Sequence, residues 1–229
     1  MRGTLVNAAA VILGSGIGLW AGNRLPERMQ RIITAGLGLS TLLIGMQMAL
    51  KAQNLLVVIA SMVVGGVVGE ALDIEAALEW VGEWLKSFAR SGATTFVTGY
   101  VTASLVFCVG PMTIVGAIQE GIGGGADLLY TKSMLDGTAS IAFASSLGIG
   151  VGFAAVTVLV LQGGLTLLGS RLALLLRPEI LGEVTATGGL LIVAIGLLLL
   201  DIKRLRVANL LPALPAVVLL TAARLALGW

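Results

Sequence analysis

Apolar runs near twenty residues long take up most of the chain, at 4–22, 29–50, 54–71, 94–117, 138–168, 182–201 and 207–227. A bilayer core of about 30 Å needs roughly twenty mostly apolar residues per helix. In lipid the backbone must satisfy its own hydrogen bonds, which leaves only helices or a closed barrel. A barrel would show short alternating segments, whereas these runs are continuous. The expected fold is an all-α integral membrane protein of about seven transmembrane helices. Composition agrees: 57% of 229 residues are hydrophobic, 11% are charged and the mean hydropathy is +1.03. A water-soluble domain usually carries roughly 25% charged residues. The fifth run is long enough to tilt or to continue as helix toward Arg177.

Several function classes drop out. Histidine is absent, so there is no Ser-His pair, no HExxH site and no imidazole relay. A zinc site would need more than the single Cys108. The Gly123–Gly125 triplet is not followed by the lysine of a phosphate-binding loop. The chain thus calls for no cofactor, no metal and no enzyme. A net charge of +2 without a long basic run excludes nucleic acid as a partner. Arg2 and the apolar run after it resemble a signal peptide, but an echo of the same glycine spacing deep in the chain argues against cleavage.

That echo is an internal repeat. Gly3-Thr4, Leu13-Gly14, Gly16 and Gly18 recur as Gly137-Thr138, Leu147-Gly148, Gly150 and Gly152. Pro26-Glu27 and Gly36 recur as Pro178-Glu179 and Gly188, and Asn54-Leu55-Leu56 as Asn209-Leu210-Leu211. The chain divides into a three-helix unit at 1–71, a connection at 72–93, a central part at 94–136 and a second three-helix unit at 137–229. Repeated units in one apolar chain are a common plan for moving solutes across a bilayer. With seven crossings the units point the same way; if 94–117 dips in and returns, they are inverted. The first arrangement puts Arg2, Lys51, Lys132, Lys203, Arg204 and Arg206 on one face and the other eight basic residues opposite. The second gives nine against five. Neither count orients the chain firmly.

Segment 72–93 reads as an interfacial helix. Ile74, Leu78, Val81, Leu85 and Phe88 follow a helical period beside Trp80 and Trp84, with acids early and bases late. Gly92 is a plausible stop.

The central part, 94–136, holds the residues best suited to function. Gly110-Pro111 interrupts an apolar run, and a proline there removes a backbone donor and breaks the helix. The broken helix would expose carbonyls and amides to a pathway. Thr113, Gln119 and Glu120 follow, then a glycine-rich connection leading to Asp136. Intramembrane carboxylates are costly without a task, so Glu120 and Asp136 are candidate ion ligands if 118–137 folds into the bundle, and ordinary loop residues if it does not. Ser140 and Ser145 in the fifth run and Asn7 in the first add polar groups that either line a path or join helices. Gly110, Pro111, Thr113, Gln119, Glu120, Asp136, Ser140, Ser145 and Asn7 make up the candidate substrate- or ion-binding set. Glu70 ends the third run at the interface, and Pro212 and Pro215 predict a second distorted helix.

The pattern Val109-Gly110-x-Met112-x-Ile114-x-Gly116, then Glu120-Gly121, Lys132-Ser133-x-Leu135-Asp136-Gly137, Phe143-Ala144-Ser145 and Gly148-Ile149-Gly150-Val151 resembles the domain of unknown function 554 family of bacterial multipass membrane proteins. Gly3-Thr4-x-x-Asn7 and Gly69-Glu70 extend the likeness over nearly the whole chain. The resemblance implies a bacterial inner-membrane location and supplies no activity. The leading expectation is a transporter or channel for a small solute or ion. A non-transporting assembly or regulatory subunit is the alternative. The partners expected are the lipid bilayer, the solute or ion, and a second copy in a homo-oligomer.

Overall fold

The structure, a computed structural model, describes residues 1–22 and 24–227; Asn23, Gly228 and Trp229 lie outside it. The chain forms α1 (Arg2–Gly22), α2 (Glu27–Ala49), α3 (Leu55–Leu72), α4 (Ile74–Phe88), α5 (Phe96–Val109), α6 (Pro111–Gly121), α7 (Asp127–Leu147), α8 (Gly150–Leu167), the short α9 (Gly169–Leu172), α10 (Pro178–Leu199) and α11 (Ala213–Ala226). Tight 3-10 turns at Ala173–Leu176 and Val207–Leu210 precede α10 and α11. No strand occurs among the described residues. Six segments are long and apolar enough to cross a bilayer, and α5 with α6, bent by 61°, makes a seventh.

The run 138–168 is not one helix. It breaks at Gly148, whose φ of 81° few other residues tolerate, and the chain turns back on itself. The stretch 118–137, read from sequence as a connection, is loop only at 122–126; the rest belongs to α6 and α7. Helix α7 has too many polar residues to qualify as a span by composition, yet it runs the length of α1. A Cβ on Gly14, Gly18 or Gly22 would lie 2.1–2.5 Å from the carbonyls of Gly137, Ile141 and Ser145 respectively. The two helices are therefore parallel and close enough for backbone contact. Lys132, Asp136 and Ser140 point inward from α7, while Tyr130, Met134 and Leu135 are exposed on its outer side. Its charged pair Lys132 and Asp136, with Ser133 and Ser140, thus faces protein, while Thr131 and Thr138 lie on the exposed side.

The helices carrying the repeated residues pack antiparallel. Gly38 of α2 meets Leu200, and Gly45 meets Gly189 and Val193 of α10. Gly65 of α3 meets Ala213, and Gly69 meets Asn209. Helix α1 likewise runs against α8, with Thr4 beside Thr166, Asn7 beside Gln162 and Ser15 beside Gly152. Three helix pairs thus run in opposite directions. The sequence tied that outcome to a returning 94–117 segment, whereas α5 and α6 lead from one end of the bundle to the other and α7 supplies the reversal. The glycine echo itself is not a structural equivalence. Gly14 lies inside α1 against Gly137, whereas Gly148 ends a helix.

One end of the bundle gathers Met1, the end of α6, the start of α7 and the end of α8. The other carries α4, the α7–α8 reversal and the 201–206 loop. The first is called the terminal face below and the second the α4 face. Helix α4 lies where the interfacial helix was expected. Ile74, Leu78, Val81 and Leu85 pack on the core and Trp80, Trp84 and Phe88 stay exposed. The helix stops before Gly92, with Arg90 taking a positive φ of 48°. Pro212 and Pro215 sit where a 3-10 turn passes into α11, as the expected distortion.

Candidate functional site

The most polar part of the interior lies between α1, α7 and α8. Asp136 is the tenth residue of α7, about 14 Å along it at 1.5 Å per residue. One turn earlier, Lys132 places its ammonium on Asp136 Oδ2. Asn7 Nδ2 donates to the same oxygen at 3.0 Å and to Gln162 Oε1 at 3.0 Å. Gln162 Nε2 donates to Thr4 Oγ1 at 3.2 Å, and Thr4 lies 3.5 Å from the Thr166 hydroxyl. An ionised carboxylate only accepts, so the Asn7 amide must turn its nitrogen to Asp136. Its Oδ1 is left buried and without a hydrogen-bond partner. Asn7 and Gln162 are fully buried, and Lys132 and Asp136 nearly so.

Of the residues expected from sequence, Asn7 and Asp136 meet in this cluster. Gly110 and Pro111 form the break: Gly110 is extended (φ −69°, ψ 148°) and Pro111 opens α6. A Cβ on Gly110 would find nothing within 4 Å. Thr113 bridges the break, its hydroxyl donating to Phe107 O at 2.9 Å. Glu120 lies at the terminal face, where Oε1 accepts from the Gly3 N–H at 2.9 Å and lies 2.9 Å from the Met1 amine. It is not hydrogen-bonded to Asp136. Gln119 is exposed in the last turn of α6 and stays outside the cluster. The hydroxyls of Ser140 and Ser145 donate to carbonyls of their own helix, Asp136 O at 2.7 Å and Ala142 O at 2.8 Å. Both residues lie on the α1–α7 contact, against Gly14 and Gly22.

Lys132, Gln162, Thr4 and Thr166 were not singled out as site residues from sequence. The signals were Lys and Asp four apart with apolar residues at the outward positions, and one glutamine inside an apolar run.

The break connects this cluster to the rest of the interior. Cys108, two residues before Gly110, packs on the apolar cluster that Ala8 and Val11 of α1 form with Phe143 and Ala144 of α7. On the other side, Gly188 of α10 faces the break, since a Cβ there would lie 3.0 Å from Val109 O. Its neighbour Thr187 is buried with an unpartnered hydroxyl. Thr102 of α5 is a further buried, unpartnered hydroxyl. It lines a cavity of about 550 Å³ on the α4 face, with Thr34, Leu147 and Leu199.

Each face also carries a contact between the two units. On the α4 face Arg206 donates to Glu70 at 2.7 Å and also bonds Asp73, while Asn209 donates to Glu70 at 2.6 Å and accepts from the Glu75 N–H at 2.6 Å. Burial pushes the Glu75 carboxyl above the usual range, although the Ala208 N–H, 2.7 Å away, favours its charged form. On the terminal face Glu183 of α10 accepts from the Asn54 N–H at 2.6 Å, and its second oxygen is buried without a hydrogen-bond partner.

The family model described as "Protein of unknown function (DUF554)" matches residues 2–222, and the chain belongs to that family. It is 33% identical over 226 residues to the "Uncharacterized protein YqgA" of Escherichia coli (strain K12), covering 96% of each chain. It is 30% identical over 218 residues to the "Uncharacterized membrane protein YdfK" of Bacillus subtilis (strain 168), covering 93% of each. No solved structure matches it significantly. The apolar helices and the family together make this a multipass membrane protein.

Proposed function

For this member of the family we propose a transporter or channel for a small solute or ion, in the cytoplasmic membrane of a bacterium. The pathway runs from the cavity on the α4 face, past the break at Gly110, to the cluster around Asp136. One observation carries the reading: a Lys–Asp pair with two buried amides inside a lipid-embedded bundle. Ionisable groups there are expensive and are kept mainly where solutes or ions pass. The unpartnered hydroxyls of Thr102 and Thr187 supply polar atoms between cavity and cluster. The antiparallel pairing of α1 with α8, α2 with α10 and α3 with α11 fits transporters built from inverted units, with a discontinuous helix at the site.

Flux measured in proteoliposomes tests this. The wild type is expected to move at least one member of a broad ion and solute panel. Asp136→Asn is expected to lose that flux and Glu120→Gln, which alters a helix-end contact, to keep most of it. Background leak for the wild type across the whole panel would refute transport. A single stoichiometric partner co-purifying with such an inactive protein would favour an assembly role.

A further inference from the structure

Resting on the reading of the α1–α7–α8 cluster as the transport site, we propose that the cluster binds a small monovalent cation. The Lys132 ammonium is the tethered group which that cation displaces. Every acceptor available there is oxygen: the Asp136 carboxylate, Asn7 Oδ1, Gln162 Oε1 and the Thr4 and Thr166 hydroxyls. Oxygen-only sets suit hard cations and ammonium groups rather than soft metals. The charge balance selects a monovalent ion. Asp136 is the cluster's only carboxylate, and no group of three His, Cys, Asp or Glu suited to a metal occurs among the described residues. Divalent oxygen sites usually gather more carboxylates than one.

Asn7 is the second, independent indication. Its side chain is 0% exposed, its nitrogen is spent on Asp136 and Gln162, and its oxygen has no partner. A buried acceptor left open is destabilising unless something supplies a positive or donor group. A cation beside Asp136 would let the Asn7 amide turn its oxygen inward and satisfy that acceptor. Lys132 sits on a flexible four-carbon stem and can move off. Exchanging one positive charge for another leaves the net charge of the cluster unchanged. An alkali-metal ion and a small primary ammonium share this chemistry.

The test is melting of purified protein in detergent, in sodium, potassium, methylammonium or N-methyl-D-glucamine chloride at equal ionic strength. Lys132→Gln is expected to gain roughly 4 °C from one small cation at ten times its Kd, relative to the bulky cation. Lys132→Gln with Asp136→Asn is expected to gain nothing. The wild type is expected to need at least tenfold more cation for the same gain. Metal and ammonium arms separate the two sources. The proposal is overturned if no small cation stabilises Lys132→Gln beyond the bulky one, or if the gain survives Asp136→Asn. Should Lys132→Gln fail to fold, Lys132→Met and a high-sodium comparison of wild type with Asp136→Asn decide instead. No flux enters these readings. A cation-dependent gain without transport in liposomes would sink the transport reading alone, and transport without the gain would sink the cation site alone.

Discussion

Replacing Gly69 by alanine tests the antiparallel crossing of α3 with the Val207–Leu210 turn. The added Cβ would lie 1.8 Å from Asn209 O, 2.6 Å from Asn209 C and 3.0 Å from its Cα. All three are backbone atoms, so no side-chain rotation relieves the clash. Relief needs the two segments to part by about 1.5 Å to reach ordinary carbon contact distances. Overpacking of this kind costs about 1–3 kcal/mol. The same shift pulls Asn209 from Glu70 and from the Glu75 N–H, both now at 2.6 Å, at about 1 kcal/mol per bond. The sum is roughly 3–5 kcal/mol, which in a chain of this length lowers the melting temperature by roughly 10 °C. Gly66→Ala is the control. Its nearest obstacle is the mobile Leu210 Cδ2 at 3.1 Å, and alanine recovers about 0.5–1 kcal/mol of helix propensity. Tryptophan fluorescence during a thermal ramp in detergent reads both variants. Gly69→Ala melting within 2 °C of Gly66→Ala would mean that the crossing, and the opposed directions of α3 and α11, are wrong.

Gly110→Ala is expected to leave stability within about 1 kcal/mol, because its backbone angles suit any residue and the space beside it is open. A large loss in a melting curve would place the break against a neighbour. Lys132→Met or Asp136→Asn alone is expected to destabilise by up to about 3–5 kcal/mol, the double variant by less than the sum, since one buried charge is then no longer left alone. Additive small losses in a double-mutant cycle by denaturant unfolding would show an exposed pair. Reporter fusions at the two ends of the chain are expected on one side of the membrane, because α7 adds a crossing to the seven apolar spans. Reporters on opposite sides would remove α7 as a crossing. Glu75, with its carboxyl raised by burial, favours the folded state below the unfolded pKa near 4.3 and loses that contribution as pH rises through its folded value. Melting of wild type minus Glu75→Gln is expected to fall across that window; a flat difference would mean a solvated carboxylate.

What could be read from the chain depended on whether the deciding feature is local. The break at Pro111 is visible because a proline inside an apolar run has few other outcomes. The interfacial α4 is visible because its period separates two unlike faces. The reversal at Gly148 is not, since Ala142–Leu147 before it and the run after it are equally apolar, and only the backbone angle distinguishes a turn from a tilt. Averaged hydropathy misses α7 for the opposite reason. Its Lys132, Ser133, Asp136 and Ser140 point inward, and a window average discards direction. Ser140 and Ser145 show the same limit on a single side chain. A hydroxyl can bond its own helix or its neighbour, and composition does not say which.

The opposed directions of the two units give the repeated asparagines a meaning that the repeat alone lacks. Asn54 caps α3 and Asn209 sits in the 3-10 turn before α11, yet they lie on opposite faces. Asn54 meets a carboxylate of the second unit, Glu183, and Asn209 meets Glu70 at the end of α3 in the first. Besides the Asn7–Gln162 cluster, the units therefore hold each other at both ends of the bundle. The grips are unequal. On the α4 face the contact is reinforced by Arg206, partly exposed, and flanked by a cavity of about 550 Å³. On the terminal face Gly121 presses on Thr166 O and Gly169, while Glu183 keeps one oxygen buried and unpartnered. For a carrier with one central site, such inequality is what a single state of a two-state pair requires. If the protein is a carrier, the transport proposal predicts a second state in which the Asn54–Glu183 contact opens and the Asn209–Glu70 side closes over Thr102. Cross-linking the start of α3 to the start of α10 would then stop turnover while leaving access from the α4 face intact, whereas a channel would keep conducting.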